Sequence, residues 1–150
     1  LHVAGGGGLV GGLAPLELPF EEGDRQHGVG ARRRIDPVEL QQVLLNLLLN
    51  AAQAMKDTPS ELRHIDIETS GGEGTVTVSI RDHGCGIPVE QLGKVFKPFH
   101  TTKSSGLGMG LALCRRLIEA HGGRIEATNH EAGGATFWFS LPALVEPPLK

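Results

Sequence analysis

The sequence predicts an α/β two-layer sandwich, a mixed sheet with helices packed on one face. Two observations lead there. Segments of helical periodicity at 36–55 and 110–121 interleave with segments of apolar–polar alternation at 64–69, 75–81, 124–128 and 135–141. Glycine-rich turns separate them, and elements in this order build a sheet that helices cover. At 150 residues the chain can bury one core but not two.

Residues 1–30 read as a region apart. The run Gly5-Gly6-Gly7-Gly8, then Gly11, Gly12, Pro15 and Pro19, shows no useful period, so a linker or disordered lead-in is expected. A glycine run without a following Lys-Ser/Thr carries little phosphate-loop signal. The globular part is expected over 31–142, with 143–150 as a frayed tail ending after Pro147-Pro148. Asp36-Pro37-Val38-Glu39 is a strong helix start, because aspartate caps, proline suits the first turn and an acid follows. That helix should run to about Met55, where Lys56-Asp57-Thr58-Pro59 stops it. The strands at 64–69 and 75–81 should form a hairpin through Gly71-Gly72-Glu73-Gly74. A last helix over 110–121 should end at Gly122-Gly123, and two further strands turn through Gly133-Gly134.

Bulk properties exclude some functions. A net charge of -3 offers no attraction to nucleic acid or an anionic membrane. Cys85 and Cys114 have neither metal-ligand nor framework spacing, so a reducing cytoplasm is the expectation. No apolar run approaches the roughly 20 residues that span a bilayer.

The first helix is apolar almost all round, which predicts deep burial. Yet Glu39, Gln42, Asn46, Asn50 and Gln53 recur at spacings of 3, 4, 4 and 3, within a strip roughly 80° wide at about 100° per residue. The bland reading is a solvated face. Such faces carry mostly Lys, Glu and Arg, whereas amides offer a neutral oxygen or an N–H, so the lining of a polar pocket is favoured. Asp82 shares parity with Val76, Val78 and Ile80 and points inward at a strand end. The turn His83-Gly84-Cys85-Gly86-Ile87-Pro88 follows. Its carboxylate needs a donor: an adenine amino group, or backbone amides in a purely structural turn. Phe96-Lys97-Pro98-Phe99-His100-Thr101-Thr102-Lys103 is a basic, hydroxyl-bearing loop anchored by two phenylalanines. It leads into Gly106-Leu107-Gly108-Met109-Gly110-Leu111 at a helix start, where free N–H groups and the helix dipole favour phosphate.

Together these segments resemble the ATP-binding domain of sensor histidine kinases, within the Bergerat-fold family that includes gyrase, heat-shock protein 90 and mismatch-repair ATPases. The likeness covers about residues 34 to 142. Asn46-Leu47-Leu48-Leu49-Asn50 looks like the asparagine box, and Asp82 to Pro88 like the first glycine box. Phe96 to Phe99 looks like the phenylalanine box, and Gly106 to Gly110 like the second glycine box. The Pro-Phe-x-Thr-Thr-Lys stretch looks closest to the nitrogen-regulatory and oxygen-sensing subgroup.

The resemblance implies a Bergerat-type fold and a protein-histidine kinase that binds ATP and Mg²⁺. It implies that Asn50 coordinates Mg²⁺ with Asn46 close by, that Asp82 accepts from the adenine amino group, and that Gly84, Gly86 and Ile87 shape the base pocket. Thr136 would support the adenine site. Lys97, Phe99, Thr101, Thr102 and Lys103 would belong to the lid, and Gly106, Leu107, Gly108, Met109, Gly110 and Leu111 would approach the phosphates. Relatives that hydrolyse ATP carry a glutamate four residues before the metal-binding asparagine. Asn46 stands there and cannot take a proton from water. The implied partners are a dimerisation and histidine phosphoacceptor domain and a response-regulator receiver domain, in the cytoplasm. No His-Glu or His-Asp followed by proline occurs, so the acceptor histidine lies outside this chain. The alternative is an ATP-binding interaction module of the anti-sigma, partner-switching type.

Overall fold

The computed structural model describes residues 2–3, 17–19, 32–72, 74–100 and 109–143. Short strands β1 (His2–Val3), β2 (Glu17–Pro19) and β3 (Arg32–Arg34) precede the main elements. These are α1 (Pro37–Ala54), β4 (Ile65–Gly72), β5 (Thr75–Asp82), α2 (Val89–Leu92), α3 (Gly110–Ala120), β6 (Arg124–Asn129) and β7 (Ala135–Pro142). One sheet has the order β1-β4-β5-β7-β6, with β1 parallel to β4 and every other neighbour antiparallel. β2 and β3 pair antiparallel as a separate ribbon. Two of the three strands that precede α1 thus fall within the stretch read as a lead-in.

Local chemistry sets the boundaries. Val38 N donates to Asp36 Oδ1 at 2.8 Å, and Pro37 opens α1, whose first-turn N–H groups need no partner from a proline. β4 and β5 pair in register from Ile65↔Asp82 to Gly72↔Thr75. β7 alternates buried and half-buried residues along its length, with Ala135, Phe137, Phe139 and Leu141 on the core side.

The core lies between the sheet and the α1/α3 layer. Val43, Leu47 and Ala51 of α1 and Cys114 and Ile118 of α3 pack with Ile80, Ile125, Phe137, Phe139 and Leu141. The expectation that α1 is buried all round is corrected here: Val38, Leu45 and Leu49 are 67%, 57% and 51% exposed. Only the face at i, i+4 and i+8 from Val43 is deeply covered, because one sheet can cover one face of a helix. No helix among the described residues is long and apolar enough to cross a membrane.

Candidate functional site

Among the described residues, Asp82 is the only acid with a fully buried side chain, and it closes the central strand β5 on the core face. Its Oδ1 accepts from Gly84 N at 2.9 Å and from Ala135 N at 3.3 Å. Backbone amides therefore do supply donors, as the structural alternative required, and both bonds fall on the same oxygen. Two glycines make this arrangement possible. A Cβ at Gly84 would collide with the Ala54 carbonyl at the end of α1. A Cβ at Gly134, whose φ is 84°, would collide with the Asp82 carbonyl. The tight approach at Gly84 is thus to the protein's own helix.

The turn after Asp82 has a second support that sequence reasoning missed. Ile87 N donates to Asn129 Oδ1 at 2.9 Å, and Asn129 Nδ2 donates to Ile87 O at 2.6 Å. This side-chain amide mimics a strand partner and ties the turn to the end of β6. Asn129 beside a Gly-Gly turn was a weak signal, since asparagine is common in turns for other reasons. Gly86 lies against the same Asn129 side chain, and Ile87 also packs on the core.

Two residues of the polar strip of α1, Glu39 and Asn46, reach α3, whereas Gln42 and Gln53 are exposed. Glu39 Oε2 lies 3.2 Å from His121 Nε2, and His121 Nδ1 donates to Leu117 O at 2.7 Å, so this buried histidine joins the two helices. Two turns along α1 from Glu39, Asn46 Nδ2 donates to Gly110 O at 3.5 Å, and the Cys114 thiol donates to the Val43 carbonyl at 3.7 Å. Burial pushes that thiol up to about 11, the Asn46 side chain opposing the shift. Asn46 therefore holds the first turn of α3. Asn50 is half-buried one turn further along.

The remaining expectations divide. Phe96 packs edge-on against Phe137, with centroids 6.0 Å apart, and anchors its segment. Phe99 does not: it is 79% exposed with a φ of 60°, so the idea of two aromatic anchors is corrected to one. Lys97 is exposed, Met109 and Gly110 are exposed at the start of α3, and Leu111 packs on the core. Thr101, Thr102, Lys103, Gly106, Leu107 and Gly108 lie outside the described residues. Thr136 is not brought to Asp82. It pairs with Arg81 on the opposite sheet face, and its Oγ1 lies 2.6 Å from His130 Nε2. Strand alternation gives the position on Asp82's face to Ala135. The parity of Phe137 and Phe139 was the signal that could have shown this.

Comparisons with known proteins follow the same lines. A family model described as histidine kinase-, DNA gyrase B-, and HSP90-like ATPase matches residues 35–145. The chain is 40% identical over 109 residues to the sensor histidine kinase TmoS of Ectopseudomonas mendocina, covering 71% of this chain and 11% of that protein. It is 39% identical to the sensor protein FixL of Bradyrhizobium diazoefficiens, over 83% of this chain and 26% of that one. With the signal transduction histidine-protein kinase AtoS of Escherichia coli it shares 46% identity, over 69% of this chain and 16% of the relative. The chain thus spans a minor part of the length of these relatives. Among solved structures, the nucleotide-free catalytic domain of histidine kinase ThkA superposes with a TM-score of 0.64 at 38% identity, covering 73% of this chain and 70% of that one. Full-length ShkA in complex with AMPPNP gives 0.60 at 32% identity, over 74% and 23%.

Proposed function

Because this chain belongs to the histidine kinase-, DNA gyrase B- and HSP90-like ATPase family and has its Bergerat-type fold, we propose that it is the ATP-binding catalytic domain of a two-component sensor histidine kinase. It binds Mg-ATP and transfers the γ-phosphoryl group to a histidine on a separate dimerisation and phosphoacceptor domain, for relay to a response regulator. Residues 31–142 form the catalytic domain, 1–30 lead into it and 143–150 trail from it. The domain works in the cytoplasm, in keeping with two unpaired thiols.

The observation that carries this reading is Asp82. A buried carboxylate at the end of the central strand, its Oδ1 held by two backbone amides, is a fixed acceptor suited to an exocyclic amino group. Gly84, Gly86 and Ile87 hold the turn beside it, Ile87 through Asn129. Lys97, Thr101, Thr102 and Lys103 would supply charge and hydroxyl donors to phosphate oxygens, and the backbone from Gly106 to Leu111 would supply N–H groups. Asn50 would hold Mg²⁺ through its amide oxygen, a hard neutral donor of the kind that cation accepts. When bound, the cation neutralises charge on the transferring phosphoryl group. Asn46 positions α3 and has no proton-accepting power, so water is not activated there.

Calorimetric titration with ATP and Mg²⁺ should show one site. Asp82→Asn keeps a carbonyl oxygen for the two amides, so the fold survives, but places an NH₂ where the base would donate. Affinity should fall by about 2–3 kcal/mol, roughly 100-fold. Unchanged affinity would remove the pocket from the proposal. With labelled ATP and a separately made phosphoacceptor domain, label should appear on histidine.

A further inference from the structure

Asp82 faces the helices, and the next residue faces the other way. On the outer face of the sheet, His64, Asp66 and His83 gather at the β4/β5 end. One ligand atom from each lies within 4.8 Å of the others, and all three residues are half-buried. We propose that this cluster is a binding site for a divalent transition-metal ion of the Zn²⁺ class, with two imidazoles and one carboxylate as ligands. The site lies outside the proposed nucleotide pocket and does not depend on that reading.

Hydrogen bonding has already set the ligand geometry. His64 Nδ1 lies 3.1 Å from the Leu62 carbonyl. A carbonyl oxygen only accepts, so Nδ1 carries the proton and Nε2 of the neutral ring presents its lone pair. An outer hydrogen bond to a backbone carbonyl is the usual way a ligating histidine is oriented. The His64 ring stacks on that of His83 with centroids 3.7 Å apart, holding the two imidazoles side by side. His83 Nε2 lies 2.7 Å from Asp66 Oδ2. This hydrogen bond, with the nearby Arg81 guanidinium, holds the Asp66 carboxyl below its usual range despite some desolvation. Metal entry replaces the proton between His83 and Asp66, which moves to His83 Nδ1 so that Nε2 becomes a ligand.

A tetrahedral ion with bonds of about 2.0–2.2 Å needs ligands roughly 3.3 Å apart, so His83 Nε2 and Asp66 Oδ2, now 2.7 Å apart, must separate slightly while His64, within 4.8 Å of both, adjusts to meet the ion. Three protein ligands leave the fourth position to water. Imidazole donors select against Mg²⁺, which separates this site chemically from one built on an amide oxygen. Arg81 opposes binding: it pairs with Asp66 across the strands on the same face, and its charge repels a cation.

The test is titration of the metal-stripped, untagged chain with Zn²⁺, read by calorimetry and by nitrogen-15 shifts of the assigned histidine rings. One equivalent should saturate binding, with the His64 and His83 rings shifted. Asp66→Asn and His64→Gln, each checked for an unchanged circular dichroism spectrum, should weaken binding about 10-fold or more. Arg81→Gln should tighten it. Rings of His64 and His83 that do not move at saturation would overturn the assignment. So would an affinity that neither ligand substitution alters.

Discussion

Cys85 and Cys114 lie in opposite surroundings. Cys85 is exposed in the turn after Asp82, whereas Cys114 is fully buried and its thiol is pushed up to about 11. A thiol held protonated is a poor nucleophile. Native protein at pH 8 should therefore release one equivalent of chromophore from DTNB, and unfolded protein two. The sign of the pH effect follows from the raised value. The folded state keeps its proton while the unfolded thiol loses it near 9.0, so the contribution is intact below that pH and declines towards about 11. Residue roles were unevenly legible. Asp82 announced itself by parity with Val76, Val78 and Ile80, and it is buried. Asn129 did not, because its partner Ile87 is 42 residues away and only the pairing of β6, β7 and β5 brings the two together. Thr136 was matched to the adenine site by resemblance alone, and its strand alternation puts it on the face away from Asp82, opposite Arg81.

Elements were read more securely, since each has a local cause. The Asp36-Pro37 start and the strands β4, β5 and β7 depend on neighbours in sequence, and the structure keeps them, with regular alternation of burial along β7. What periodicity cannot say is which apolar face of a helix a sheet will cover, so the exposed side of α1 was missed. The β6–β7 turn offers the sharpest element-level test. Gly134→Ala places a methyl against the Asp82 carbonyl at a φ of 84°, with no flexible side chain to yield. Loss of at least about 2 kcal/mol is expected in urea unfolding, with strain and displacement adding. Gly72→Ala, where a Cβ meets nothing within 4 Å, is the matched control and should cost about 1 kcal/mol or less.

At the scale of the whole molecule, one sheet with its helices on one side leaves two outer surfaces. On the helix side, Val38, Leu45 and Leu49 form an exposed apolar row along α1. Removing it should not harm the fold. Leu45→Lys with Leu49→Lys should leave the unfolding midpoint within about 0.5 kcal/mol per site. Sedimentation should show less self-association at high concentration. A midpoint drop of several kcal/mol would mean these leucines are covered in solution. The sheet side carries polar residues, and the sequence hid its histidine–aspartate grouping because His64 and His83 meet only through the register Ile65↔Asp82.

The chain direction at the end of β5 has one more consequence. Asp82 and His83 share a peptide bond yet open onto opposite sides of the sheet, and backbone bonds pin the segment from both flanks. Where occupancy of one side perturbs the other, thermodynamic reciprocity makes the two factors equal. If zinc alters the dissociation constant for nucleotide by some ratio, nucleotide must alter that for zinc by the same ratio.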